Sequence, residues 1–291
     1  MIRSMLFLPG NTPNMLINGD ALGADAVILD LEDAVSPTEK DAARILVRNA
    51  LRLMGFGCQT VVRINSLDSG LCQRDLEEIV PQKPTALMLP KTACAADIHQ
   101  LCDAVSQLEA KHGLPDGGIR LIPLLETALG VQNAFEIAAA SHRVLGLFLG
   151  GEDLTADLRC KRTKEGKEID YARHRVVCAA RAAGVEAFDT PFTDVNDDEG
   201  LLVDARYAKA LGFSGKASIS PRHVAGINDV FSPTQAEIAY AKEVLQAIDE
   251  AKRQGRGAIA LHGKMVDAPI VNRAKQTLEA AQALGLTGGA Q

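Results

Sequence analysis

Short apolar runs alternate along the chain with longer stretches in which apolar residues return every three or four positions. The short runs read as strands: Ser4 to Leu8, Ala26 to Leu31, Thr60 to Ile64, Ala86 to Leu89, Ile119 to Leu125, Val144 to Leu149, Val185 to Phe188 and Gly215 to Ile219. The longer stretches, rich in Ala, Leu, Glu and Arg, read as helices. Pro37 to Met54 is one, with Ser36 as its N-cap and Pro37 at its first position. Ala95 to His112 and Tyr171 to Ala183 are two more, the last stopped by Gly184, a residue free to take the left-handed conformation of a helix end. Eight strands, each followed by a helix, predict a closed parallel (β/α)8 barrel over residues 1–232. No G-x-G-x-x-G follows the first strand, which speaks against an open dinucleotide-binding sheet. From Ser232 the pattern changes to a capped helix, a glycine-rich break, a short strand-like segment with a turn, and another helix. Residues 233–291 exceed what a barrel needs, and they predict a helical extension that packs as a lid on the barrel mouth or reaches a neighbouring subunit.

Composition narrows the partners. With 47% hydrophobic and 23% charged residues the chain of 291 residues can build a core, and disorder is not its default. The 31 Lys and Arg against 37 Asp and Glu leave a net charge of −6, which repels polyanions. Without a basic run or any tryptophan, nucleic acid is excluded as the main partner. The opening apolar run is too short for a signal peptide, and no 18 consecutive apolar residues offer a membrane span, so the expectation is a cytoplasmic protein without a membrane partner. Six scattered cysteines with no CxxC pair read as reduced thiols.

The catalytic groups of such a barrel come from the C-terminal ends of its strands. Those ends read Pro9-Gly10, Glu32-Asp33, Arg63 to Asn65, Pro90-Lys91, Glu126, Glu152-Asp153, Asp189 and Ser220-Pro221, so seven of eight present polar or charged groups to one mouth. Glu126 in LLETALG and Asp153 in LGGEDL stand on adjacent strands, where two carboxylates repel unless a cation or proton intervenes. A hard divalent ion with oxygen ligands answers this, and Mg²⁺ takes one or two protein carboxylates while keeping waters. Zinc is disfavoured, since no histidine shows ligand spacing. Without a metal, Glu126 reads as a carboxylate favoured near a helix N-terminus. Near a strand end, only one of Glu152 and Asp153 should point inward.

Arg63, inside an apolar run, must reach the mouth or be paired. It reads equally as a clamp on an anionic substrate or as an internal ion pair with Glu32 or Asp33. Those two acids either hold the arginine or accept hydrogen bonds from water around the metal. Lys91 serves as a Schiff-base lysine, a substrate contact or the partner of a neighbouring acid, and the acids nearby favour the pairing. Lys40 and Arg44, one turn apart on the second helix, read as a solvated face. The turn Leu8 to Pro13 has free N–H groups for a phosphate, although any strand-to-helix turn uses such residues.

Taken in order, RSMLFLPGN, VILDLEDAV with EKDAAR, VVRIN, LMLPKT, LLETALGVQNA, LGGEDLTADL, FSGKASISPRHV and HGKMVDAPIV resemble the citrate lyase β-subunit family, which includes malyl-CoA lyases. The resemblance spans nearly the whole chain. It implies a (β/α)8 (TIM) barrel with an extra C-terminal segment, assembled as a homo-oligomer, a trimer or hexamer. It makes Glu126 and Asp153 ligands of Mg²⁺, with Mn²⁺ an alternative, and Arg63 the arginine that binds the carboxylate of a 2-oxo acid. Asp267 in GKMVD matches an acid that, in the malyl-CoA lyase branch, enters a neighbouring subunit's active site; composition alone reads it as a helix N-cap before Ala268-Pro269. The glycines of LGGEDLTADL look more like stand-alone members than like the subunit of a three-subunit citrate lyase, which points to CoA thioesters as substrates.

The implied reaction is a reversible Claisen-type cleavage of a 3-hydroxyacyl-CoA bearing a carboxylate. Malyl-, citramalyl- or citryl-CoA would give an acetyl-CoA-type thioester and a 2-oxo acid. The alternatives are a thioesterase acting on the same acyl-CoA, a metal-dependent pyruvate aldolase using free aldehydes, and an auxiliary subunit that binds thioesters for a partner.

Overall fold

The computed structural model describes residues 1–253 and 259–287. Eight parallel strands close into a barrel in sequence order: β1 (Ser4–Pro9), β2 (Ala26–Asp30), β3 (Gln59–Arg63), β4 (Ala86–Leu89), β5 (Arg120–Leu125), β6 (Gly146–Leu149), β7 (Glu186–Asp189) and β8 (Gly215–Ser218), with β8 pairing back to β1. Every predicted strand is present, with ends differing by a residue or two. Val144, predicted to open the sixth, makes only an isolated bridge to Leu121.

Alternation along each strand divides its side chains between the barrel interior and the helical layer. Met5, Ile28, Val61, Met88, Ile122, Leu124, Phe148, Phe188 and Ala217 fill the interior. Two residues further along, the same parity carries Phe7, Asp30, Arg63, Glu126 and Gly150 toward the mouth. The opposite parity sends Leu29, Val62, Leu125 and Leu149 into the layer between strands and helices, all of them fully buried. Asp189 follows Phe188 and Lys216 precedes Ala217, so both belong to this outer layer too. That corrects the expectation for Asp189, which is fully buried behind β7 and does not face the mouth.

The helix predicted from Pro37 begins at Lys40, after a 3-10 turn over Pro37–Glu39. Ser36 caps neither; its hydroxyl lies 3.2 Å from that of Thr38. The Asp170–Ala183 helix does end at Gly184, at φ 72°.

The chain divides into two compact units, Ile2–Asn228 and a second comprising Met1 with Asp229–Gln291. In the second, the Gln235–Arg253 and Ala268–Ala283 helices bury Ala241, Val244, Ile248, Val271 and Ala274. A hairpin of Ile259–Leu261 and Lys264–Val266 joins them, and Val266 packs into the same cluster. Among the described residues no helix is long and apolar enough to cross a membrane, and all six cysteines are free.

Candidate active site

A cavity of about 360 Å³ opens at the C-terminal ends of the barrel strands, with Asp30, Arg63, Glu126 and Asp153 on its wall and Phe7 and Phe148 among its apolar lining. The two rings meet edge to face at 6.0 Å, and the Arg63 guanidinium lies 5.0 Å above the Phe7 ring.

Arg63 is buried, and its partner is Asp30. Its Nε donates to Asp30 Oδ1 at 2.7 Å and its Nη2 to Asp30 Oδ2 at 2.6 Å, a two-pronged bond that fixes the guanidinium plane. Strand register puts the two residues side by side. The expected partners are farther away: Nη1 is 3.3 Å from Glu32 and 3.6 Å from Asp33. Burial works against the charge, but Asp30, Glu32 and Asp33 outweigh it and hold the guanidinium more firmly protonated than usual. Asp30 also accepts the N–H groups of Glu32 at 2.9 Å and Ala34 at 3.0 Å, pinning the loop after β2. Sequence reading passed over Asp30 because it took the Glu-Asp pair two residues on as the strand end. The inward parity of Ile28 was the signal that would have found it.

Glu126 follows β5 and is 3% exposed. Its Oε1 accepts the Lys91 N–H at 2.7 Å, from a residue whose φ of 53° is uncommon for a side chain with a Cβ. Burial first, and then the charge of Asp153, push the Glu126 carboxyl up to about 8. Asp153 itself is not at a strand end: β6 stops at Leu149, and both Glu152 and Asp153 lie in the first turn of the Gly151–Asp157 helix. Both line the cavity, so the strand rule that only one should face inward does not apply. Glu152 is the more exposed and stands 3.5 Å from Arg162.

The glycine pair before them has a steric cause. A Cβ on Gly150 would come within 2.7 Å of Glu126 Cβ, and one on Gly151 within 2.8 Å of the Thr190 hydroxyl.

Lys91 Nζ pairs with Glu32 at 2.8 Å, as the neighbouring acids led one to expect. Glu32 is raised by burial, against the pull of Lys91 and Arg63. Lys40 and Arg44 are not a solvated face. The Lys40 ammonium donates to the carbonyls of Leu31 at 2.8 Å and Glu32 at 2.6 Å, because the loop after β2 folds back over it. Arg44 is buried against Asp75, with Nε 2.7 Å from Oδ1. Asp267 lies in the second unit, where its side chain accepts the Ile270 N–H at 3.5 Å as N-cap of the Ala268–Ala283 helix.

The donor set suits a hard cation. Glu126 and Asp153 are acids on one cavity wall, and the repulsion that helps to raise Glu126 is what a divalent ion would relieve. Among the described residues no three His, Cys, Asp or Glu side chains gather into a cage. An ion that keeps several waters needs none, which fits Mg²⁺ better than a structural metal.

A family model for HpcH/HpaI aldolase/citrate lyase matches residues 3–221. The chain is 44% identical to the citrate lyase subunit beta of Leuconostoc mesenteroides subsp. cremoris, over 97% of this chain and 93% of that one. It is 34% identical to the mitochondrial citramalyl-CoA lyase of Homo sapiens, over 97% and 86%. It also resembles the crystal structure of protein CitE from Mycobacterium tuberculosis in complex with magnesium, acetoacetate and coenzyme A, with a TM-score of 0.78 and 34% identity over 96% of this chain and 98% of that one. Identity is thus higher to this β subunit than to the citramalyl-CoA lyase. The barrel agrees with these matches, and the chain belongs to the HpcH/HpaI aldolase/citrate lyase family.

Proposed function

We propose that this protein is a magnesium-dependent carbon–carbon lyase that cleaves a 3-hydroxyacyl-CoA bearing a carboxylate into an acetyl-CoA-type thioester and a 2-oxo acid. The observation that carries the reading is a desolvated Glu126 facing Asp153 in a cavity that also presents Arg63. Citrate lyase β subunits and citramalyl-CoA lyases among the relatives support it, as does a similar structure holding magnesium, acetoacetate and coenzyme A.

Glu126 and Asp153 would hold Mg²⁺, or Mn²⁺ in its place. When bound, the ion supplies Lewis-acid stabilisation of the oxygen on which charge develops as the carbon–carbon bond breaks. Arg63 binds the carboxylate of the oxo acid. Asp30 occupies Nε and one Nη2 hydrogen and fixes the guanidinium plane, and Nη1, with Glu32 at 3.3 Å and Asp33 at 3.6 Å, would turn from those longer ion pairs to the ligand. Phe7, Leu124 and Phe148 exclude water beside it. The Lys91 N–H holds one Glu126 oxygen, and the Lys91–Glu32 pair steadies the rim. Asp267 exchanges the proton at the α-carbon of the thioester. We place residues 233–291 as the segment that brings Asp267 to a mouth, as a lid or across to a neighbouring subunit of a trimer or hexamer, in a cytoplasmic enzyme.

The test is an assay of the purified full chain with Mg²⁺ on malyl-, citramalyl- and citryl-CoA, measuring 2-oxo acid and free thiol separately, with and without EDTA. Oxo acid without thiol, abolished by EDTA, is expected. Thiol without oxo acid would make the protein a thioesterase and overturn the reading. Asp267→Asn is expected to abolish turnover yet leave Mg²⁺-dependent oxo-acid binding intact; loss of both together would remove Asp267 from its assigned role.

A further inference from the structure

Behind β7 and β8 lies a buried ionic cluster that the proposed chemistry does not use. Arg173 donates through Nε to Asp189 Oδ1 at 3.0 Å and through Nη2 to Asp189 Oδ2 at 2.9 Å and Asp204 Oδ1 at 2.7 Å. Lys216 Nζ is 2.6 Å from Asp189 Oδ2, 2.6 Å from Asp204 Oδ2 and 2.6 Å from the Thr190 carbonyl oxygen. Two cations and two carboxylates therefore balance, and none of the four side chains is more than 7% exposed. Apolar residues of similar volume commonly serve stability as well as such a cluster, so its value is to be sought in what it places.

What it places is Thr190. One contact of Lys216 fixes the backbone of that residue, immediately after β7. Its hydroxyl, on the cavity wall, accepts the N–H of Gly151 at 3.0 Å. Gly151 opens the Gly151–Asp157 helix, and the N-cap, Gly150, has no side chain with which to satisfy that turn. Thr190 thus caps from another strand the helix that carries Asp153 two residues further on.

We propose that Thr190, anchored by the Lys216 cluster, is a positioning residue for Asp153: it fixes the first turn of that helix so that Asp153 stands opposite Glu126. The inference rests on reading Asp153 as a metal ligand. Mn²⁺ binding to the metal-free full chain, followed by electron paramagnetic resonance and calorimetry, tests it on wild type, Thr190→Val, Thr190→Ser and Asp153→Asn. Thr190→Val, which keeps the shape and removes the acceptor, is expected to weaken Mn²⁺ binding by about 10- to 100-fold, the range for a group that orients a ligand. Thr190→Ser, which keeps the acceptor, is expected to bind within about twofold of wild type. Wild-type affinity in Thr190→Val, or an equal loss in Thr190→Ser, would overturn the positioning role. Wild-type affinity in Asp153→Asn would overturn the metal-site reading instead. Should Thr190→Val fail to fold, Thr190→Ala carries the same expectation.

Discussion

Two acidic regions lie close together in this barrel and differ in how their charge is met. Behind β7 and β8, Asp189 and Asp204 are matched by Arg173 and Lys216. Burial opposes ionisation of Asp189, yet the two cations more than offset it and hold its carboxyl below the usual range. At the mouth, burial and Asp153 act together on Glu126, and the Lys91 N–H and the charge of Arg63 only partly oppose them. A buried acid that the protein neutralises itself is structural; one it leaves under-neutralised in an open cavity is prepared for a cation from solution. The comparison also separates Arg173, held by two carboxylates behind the strands, from Arg63, which stands on the cavity wall.

The strongest way to break this contrast is to neutralise one acid from each region. Glu126→Gln is expected to reduce lyase activity to background and, in EDTA above about pH 8, to raise the melting temperature, because there it removes a desolvated charge that faces Asp153. Asp189→Asn should do the reverse, lowering stability by about 3–5 kcal/mol by leaving Arg173 and Lys216 short of a buried counter-charge. Thermal and urea unfolding of the metal-free proteins measure both. If Glu126→Gln destabilised as Asp189→Asn does, the mouth would be structural too. The pH dependence of the second effect has a definite sign. Because the folded-state value of Asp189 is depressed, its contribution is present above the ordinary value of 3.8 and lost as pH falls through the lower folded value. The difference in stability between wild type and Asp189→Asn should therefore hold steady from pH 8 to about pH 5.

The sequence carried the barrel and the mouth far better than it carried this contrast. Alternating apolar runs showed all eight strands, and charged residues at or just after their ends marked Arg63, Glu126 and, in the helix turn that follows β6, Asp153. Asp189 looked like one more polar strand end, since a carboxylate after Phe188 reads the same whether it meets solvent or two cations. Arg173 lies inside a helix and Lys216 inside a strand, 43 positions apart along the chain, and only the packing of helices against β7 and β8 brings them to one acid. Arg44 and Asp75 escaped for the same reason, being joined across two helices. Asp30 is a different case. Its pairing with Arg63 follows from strand register, which the chain does not display until the barrel closes.

A smaller effect sharpens the role of Arg63. Arg63→Lys keeps one positive charge but loses the planar fork on Asp30 and the fixed direction of Nη1. In the condensation direction the KM for the 2-oxo acid should rise by about 10- to 100-fold, which matches the ~1.5–3 kcal/mol of a charged hydrogen bond. Steady-state kinetics at saturating thioester would show it. A fall in kcat with KM unchanged would place Arg63 in the bond-breaking step and not in carboxylate binding.

The smallest effect concerns Lys91, whose two contributions can be separated. Its backbone N–H holds Glu126 Oε1, and its half-exposed ammonium pairs with Glu32. Lys91→Met keeps the first and removes the second. Glu32 at the other end of the pair is buried but keeps Arg63 at 3.3 Å, so stability should fall by only about 1–2 kcal/mol. The charge also acts on Glu126 across the mouth, where it counts against a second cation. Its removal should therefore tighten Mg²⁺ binding by about two- to fivefold at low ionic strength, with the gain shrinking as salt screens the field. Calorimetric titration at two salt concentrations tests this, and weaker binding in Lys91→Met would mean that the lysine aligns Glu32 for the metal instead of competing with it.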